Sequence, residues 1–242
     1  MLHTLNDMIG TTIRATDGSL GPVHDFYFDD STWTIRYMVA DTDAALSGRK
    51  VLIGLVALGT PDWQSETFSV NLTCEQVRTS PAVDTEKPVF RQHEIDLHLH
   101  YSWPAYWDAG YGGTFGITPY PLFEKPLEEQ EPSSSANEEN PHLRSTRQIT
   151  GYHIHATDGV IGHCTDFIVD EETWEIAYLV IETGNWFMGE KVLVAVKWIN
   201  NIQWSDDCIY VNLSRTMVKS SPEFDPSKTV LRTYSKDVYD NG

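Results

Sequence analysis

Basic residues are scarce in this chain: 17 Lys and Arg stand against 35 Asp and Glu, a formal charge of −18. Such a surface repels a phosphate backbone, and the basic residues are scattered with no run longer than Arg49-Lys50, so no direct nucleic-acid binding is expected. Long apolar runs are missing as well; none approaches the roughly 20 residues of a membrane-crossing helix. Cysteine is sparse. Cys74, Cys164 and Cys208 are odd in number and far apart, which argues against a disulfide framework or a cysteine-based metal knot and for free thiols in a reducing compartment. The opening residues 1–7 carry neither the basic nor the apolar region of a secretion signal. A cytoplasmic protein is the expectation. Catalytic signatures are also lacking: there is no glycine-flanked serine elbow and no phosphate-cradling loop ending in Lys-Ser or Lys-Thr. No cofactor is implied.

What is present is a repeat. Ala15-Thr16-Asp17-Gly18 recurs as Ala156-Thr157-Asp158-Gly159, an offset of 141 residues (158 minus 17). Without a gap the same offset pairs Gly21 with Gly162, Asp25-Phe26 with Asp166-Phe167 and Thr32-Trp33 with Thr173-Trp174. It continues through Tyr37 and Tyr178, Gly48 and Gly189, Lys50-Val51-Leu52 and Lys191-Val192-Leu193, Trp63 and Trp204, and Arg91 and Arg232. Two copies of one module, about residues 9–101 and 150–242, are the simplest reading.

Each copy reads as short strands separated by turns. Asp17-Gly18 is a tight-turn dipeptide that joins the strand 13–15 to the strand 23–28 as a hairpin. Trp33, Ile35, Tyr37 and Val39 alternate onto one face of the next strand. Further strands are expected at 50–53 and 67–72. Thr73-Cys74-Glu75-Gln76 has the spacing of a capping box at the start of a short helix. In the second copy Ser214 can cap, while Met217 cannot complete the box. The fold class that follows is all-β with short helices, arranged as two tandem, small, partly open barrels. The modules are bounded as 1–101 and 143–242. Between them, residues 102–142 divide into an aromatic and glycine-rich arm and an acidic linker, 124–141, too polar to offset its ordering entropy by burial.

The run of Thr16-Asp17-Gly18, Asp25-Phe26, the segment 33–39 and the segment 48–53, with their partners 141 residues on, resembles the PRC-barrel family. The resemblance covers most of both copies. It implies a partly open barrel of about six strands, of the kind found in the cytoplasmic part of the photosynthetic reaction-centre H subunit and at the end of a ribosome-maturation factor. It also implies an assembly surface for other proteins, with no common catalytic residues. The chain lacks the membrane helix of the former and the separate N-terminal domain of the latter, so neither specific role carries over.

Residues kept in both copies are expected to serve the fold. Trp33 and Trp174 read as core aromatics, Asp17 and Asp158 as turn residues, and Asp25 and Asp166 as carboxylates bonded to a nearby amide, since an unpaired buried carboxylate is costly. None of the nine histidines has a histidine at its equivalent position. A non-enzymatic interaction or assembly module, with a protein partner or self-association, is therefore expected to bind through the asymmetric part: His98, His100, Tyr101, Trp103, Tyr106, Trp107, Tyr111 and Phe115. A rival is a small-ligand or metal-binding barrel. If residues 98–100 are extended, His98 and His100 share a face with His93 nearby, the candidate ligands for such a site, and His153-Ile154-His155 alternates likewise. A third reading, an unrecognised hydrolase, rests on Asp25, Asp166 and the histidines.

Overall fold

The computed structural model describes residues 1–42, 49–85, 89–107, 143–184, 190–221 and 224. Along the first half run β1 (Leu2–Thr4), α1 (Leu5–Met8), β2 (Thr12–Ala15), β3 (Gly18–Asp29), β4 (Thr34–Asp41), β5 (Lys50–Gly54), β6 (Leu58–Asp62), β7 (Thr67–Val70), α2 (Cys74–Thr79) and α3 (Arg91–Tyr101). The second half contains β8 (Leu143–Ser145), α4 (Thr146–Ile149), β9 (His153–Ala156), β10 (Gly159–Asp170), β11 (Ile176–Thr183), β12 (Lys191–Ala195), β13 (Ile199–Gln203), β14 (Cys208–Val211) and α5 (Arg215–Lys219). Strand dominates and the helices are short.

The chain divides into two compact units. Unit 1 holds Met1–Gly10, Thr32–Ile35 and Ser145–Gly242; unit 2 holds Thr11–Ser31 and Arg36–Arg144. These units are not the contiguous segments 1–101 and 143–242. The opening residues 1–10 join unit 1, and Leu143 and Arg144 join unit 2. Residues 102–107, assigned from sequence to a separate arm, also lie in unit 2.

Unit 2 is built on a seven-stranded sheet ordered β5-β4-β3-β2-β7-β6, with β8 pairing β3. The Asp17-Gly18 turn forms as its residue types require, with Ala15 opposite Gly18 in the antiparallel β2–β3 pair. β2 then pairs in parallel with β7. Close packing of β3 on β4 explains Gly21: a Cβ there would lie 2.0 Å from the carbonyl oxygen of Asp41. Burial exceeds simple alternation. Tyr37 and Val39 on one face of β4 are buried, and so are Met38 and Ala40 on the other. The first face belongs to a cluster of Tyr27, Tyr37, Val39, Leu52, Val89, Leu97 and Leu143, against which Tyr101, Trp103 and Tyr106 pack.

Unit 1 has the sheet order β12-β11-β10-β9-β14-β13, with β1 pairing β10. Leu2 lies opposite Asp170 and Thr4 opposite Ile168. Its cluster comprises Leu2, Ile168, Tyr178, Val180, Leu193, Ala195 and Phe224. Gly162 repeats the close approach of Gly21, since a Cβ would lie 1.9 Å from the oxygen of Glu182. Trp33 and Trp174 depart from expectation. Each is half-buried and ends a turn with φ 54 and 59 rather than starting the strand face. Within unit 1 they are held by reciprocal bonds: Ile35 N donates to Trp174 O at 2.9 Å and Ile176 N to Trp33 O at 2.8 Å. Such bonds offset the cost of a left-handed conformation in a bulky residue.

The helix starts follow the sequence closely. Thr73 accepts from Gln76 N while the Gln76 side chain reaches back to the Thr73 amide, whereas Ser214 accepts from Met217 N with no return bond. Asp17 adds a bond at the same place, its carboxylate accepting from Cys74 N at 2.6 Å, which holds its pKa below the ordinary carboxylate value. The Asp158 carboxylate accepts from Arg215 N at 2.8 Å.

Candidate functional site

The metal-binding reading needed residues 98–100 to be extended; they lie in the helix α3 instead. Its inward stripe is Arg91, Glu94, Leu97, His98 and Tyr101, the i, i+3, i+4, i+7 spacing of a helix face filled largely with polar side chains. Leu99 is 53% exposed, while Glu94 is fully buried and His98 nearly so. The polar stripe is accommodated because β4 offers a hydroxyl, from Tyr37, where an apolar face would offer none.

Around that hydroxyl lies a closed polar network. Tyr37 Oη is hydrogen-bonded to Glu94 Oε2 at 3.0 Å and to His98 Nε2 at 2.9 Å. Tyr106 Oη donates to the same Glu94 oxygen. Arg91 Nη1 contacts Glu94 Oε1 at 2.9 Å. The opposite ring nitrogen, His98 Nδ1, lies 2.9 Å from the carbonyl oxygen of Pro104. Burial pushes the Glu94 carboxyl pKa up against the pull of Arg91 and the two tyrosine bonds. Burial also pushes His98 down and raises the Tyr37 and Tyr106 phenols.

The aromatic arm begins as part of this structure. Ser102 adopts φ 56 and caps α3, and Trp103 N donates to His98 O at 2.9 Å. The Trp103 ring stacks on Tyr101 at 4.2 Å and rests against Gly54, where a Cβ would come within 2.8 Å of the indole. The residue 141 positions on is Ala195. Arg36 lies 4.6 Å over the Tyr106 ring and Arg91 lies 4.5 Å over Trp107.

The expected surface residues are thus distributed differently. His98, Tyr101, Trp103, Tyr106 and Trp107 come together, with His98 buried, Tyr101, Trp103 and Tyr106 half-buried against the core of unit 2, and Trp107 half-buried against His98 and Arg91. His100 faces outward and its Nε2 meets Gln76 O at 3.0 Å. Tyr111 and Phe115 lie outside the described residues. His93, His98 and His100 do not converge, because helical rotation separates i and i+2 and both nitrogens of His98 are engaged. His153 and His155 do lie on a strand, β9; His155 Nε2 is 3.6 Å from Cys208 Sγ. Among the described residues no group of three His, Cys, Asp or Glu side chains is placed to hold a metal ion. Glu94 was not singled out from sequence, and Tyr37 and Arg91 entered it only as repeated positions expected to serve the fold. The available signal was Glu94 and His98 at i, i+4, legible only once the segment is known to be helical.

A second locus lies in unit 1. Asp166 accepts from Phe167 N at 2.7 Å and from Asn6 N of α1 at 3.2 Å; in unit 2, Asp25 accepts from Phe26 N at 2.7 Å. Amide bonding is the role expected of both. Asp166 lines a cleft of about 400 Å³ with Leu5, Asn6, Ile9, Arg147 and Phe167. Burial pushes its pKa up from the ordinary 3.8 to about 6, against the two amide bonds.

No helix among the described residues is long and apolar enough to cross a membrane. No protein-family model and no curated protein matches the chain.

Proposed function

We propose that this chain is a non-enzymatic assembly protein built from two duplicated, PRC-barrel-like modules. One observation carries the reading. Each seven-stranded sheet takes up a three-residue strand outside its main path, β1 on β10 and β8 on β3, and these strands occupy equivalent places in the repeat, since Leu2 plus the 141-residue offset is Leu143. Strand addition is also a general mode of partner recognition, in which main-chain bonds give affinity and alternate side chains give specificity. The common strand order of the two sheets supports the duplication, and the inward engagement of Glu94, His98 and Tyr37 argues against their use as an open catalytic set. Gentle purification at native abundance, followed by light scattering, tests the assignment. A stoichiometric complex, with itself or with another protein, is expected. A chain that is monomeric and partner-free, or that turns over ester or phosphoester substrates, overturns it.

A second reading, small-ligand binding, is favoured by the Asp166 cleft alone. Its carboxyl, raised to about 6, resembles the perturbed groups that mark functional clefts. A ligand seated there would shift the Asp166 titration.

A further inference from the structure

Donor and acceptor counting around Tyr37 leads further. The carbonyl oxygen of Pro104 can only accept, so His98 Nδ1, 2.9 Å away, carries a proton. Three atoms then stand in a row: His98 Nε2, Tyr37 Oη and Glu94 Oε2, with gaps of 2.9 and 3.0 Å. Two gaps of that length need two protons, and the tyrosine supplies one. Tyr106 cannot supply the other, because its own proton is directed at Glu94 Oε2. The missing proton sits either on Glu94, as a carboxylic acid, or on Nε2, as an imidazolium. The two forms interconvert by moving one proton from Glu94 to Tyr37 and another from Tyr37 to His98, with no change in total charge.

We propose that Glu94, Tyr37 and His98 share one buried proton that fastens residues 102–107 to unit 2, and that losing it to solvent base loosens this aromatic segment. After loss, Glu94 is a carboxylate, the Tyr37 proton turns to it, and Nε2 faces the phenol oxygen lone pair to lone pair. The ring that anchors Pro104 and stands against Trp103, with centroids 5.8 Å apart, then loses one of its two bonds.

The charged and titratable surroundings come from every element packed here. Arg91 and Tyr101 lie on α3, Arg36 on β4, Asp29 and Tyr27 on β3, and Tyr106 on the docked segment. Arg36 is paired with Asp29 at 3.7 Å. Arg91 pulls Glu94 toward the carboxylate, while burial and Asp29 oppose it. A group whose folded pKa is raised contributes stability below its unfolded pKa and loses it as pH rises through the folded one. The segment is accordingly held below the elevated titration of Glu94 and loosened as pH rises through it. The inference is independent of the assembly reading, since it concerns the isolated chain.

The test uses the full chain with nitrogen-15 histidine, His98 being assigned by its loss in His98→Gln. Nδ1 should remain protonated throughout, while the Nε2 shift moves as pH rises. Over the same range, protection of the Trp103 amide, corrected for intrinsic exchange, should fall about tenfold, the equivalent of one hydrogen bond. Glu94→Gln supplies a permanent amide donor to Tyr37, so both changes should disappear in it. An unprotonated Nδ1 in the wild-type chain would overturn the proposal even if the variant proved unstable. So would an unaltered pH response in Glu94→Gln.

Discussion

Replacing Asp166 by asparagine should make the protein more stable at neutral pH and leave it nearly unchanged in acid. Asp166 is 7% exposed, and its carboxyl titrates at about 6 rather than 3.8 because burial disfavours the charge more than the Phe167 and Asn6 amides favour it. The sign follows directly. Well below pH 3.8 both folded and unfolded forms are protonated and no penalty arises, whereas above pH 6 the folded chain must hold a carboxylate that the unfolded chain carries freely. A difference of roughly two pKa units corresponds to about 3 kcal/mol. Asparagine keeps an oxygen to accept both amide bonds and carries no charge. Urea denaturation from pH 4 to pH 8 should therefore show the variant gaining up to about 3 kcal/mol at the upper end and converging with the wild type at the lower. A variant less stable at pH 8, or a difference that does not depend on pH, would refute the burial argument.

Three further outcomes follow from packing and capping. Gly162→Ala should cost about 3 kcal/mol or more in thermal denaturation, since its Cβ would fall 1.9 Å from a backbone oxygen that cannot move alone. Gly54→Ala should displace the Trp103 indole from its stack on Tyr101, seen as loss of near-ultraviolet circular dichroism, at a cost of about 1–3 kcal/mol. Thr73→Ala removes the bond its hydroxyl accepts from Gln76 N and the one it donates to Gln76 Oε1, leaves the backbone return bond, and should cost about 1 kcal/mol, more than Ser214→Ala, which removes one.

The local chemistry of turns and caps was legible in the sequence because it is decided within four residues. The Asp17-Gly18 hairpin and the unequal caps at Thr73 and Ser214 are of this kind. Contacts between distant segments were not. Nothing in Met1-Leu2-His3-Thr4 announces that it will pair with residues 168–170, because a three-residue strand has too few side chains to define a period. α3 was not foreseen for a related reason: its partners are a tyrosine hydroxyl and a proline carbonyl, so the buried stripe is largely polar and shows no apolar helical period. The break in the 141-residue match drew attention to His98, His100 and the aromatic residues from 101 to 115, but it could not say whether the described ones would face outward to a partner or pack against Tyr37.

Strand addition is the feature on which the functional reading stands, and complementation tests it most directly. A chain lacking residues 1–10 loses β1 together with the buried side chains of Leu2, Leu5 and Met8, each worth about 1.5–3 kcal/mol. A synthetic peptide of residues 1–10, added in trans, should bind saturably and restore about 2.7 kcal/mol at a hundredfold excess over its dissociation constant. A truncated chain as stable as the intact one, or one that the peptide fails to rescue at any concentration, would contradict the account.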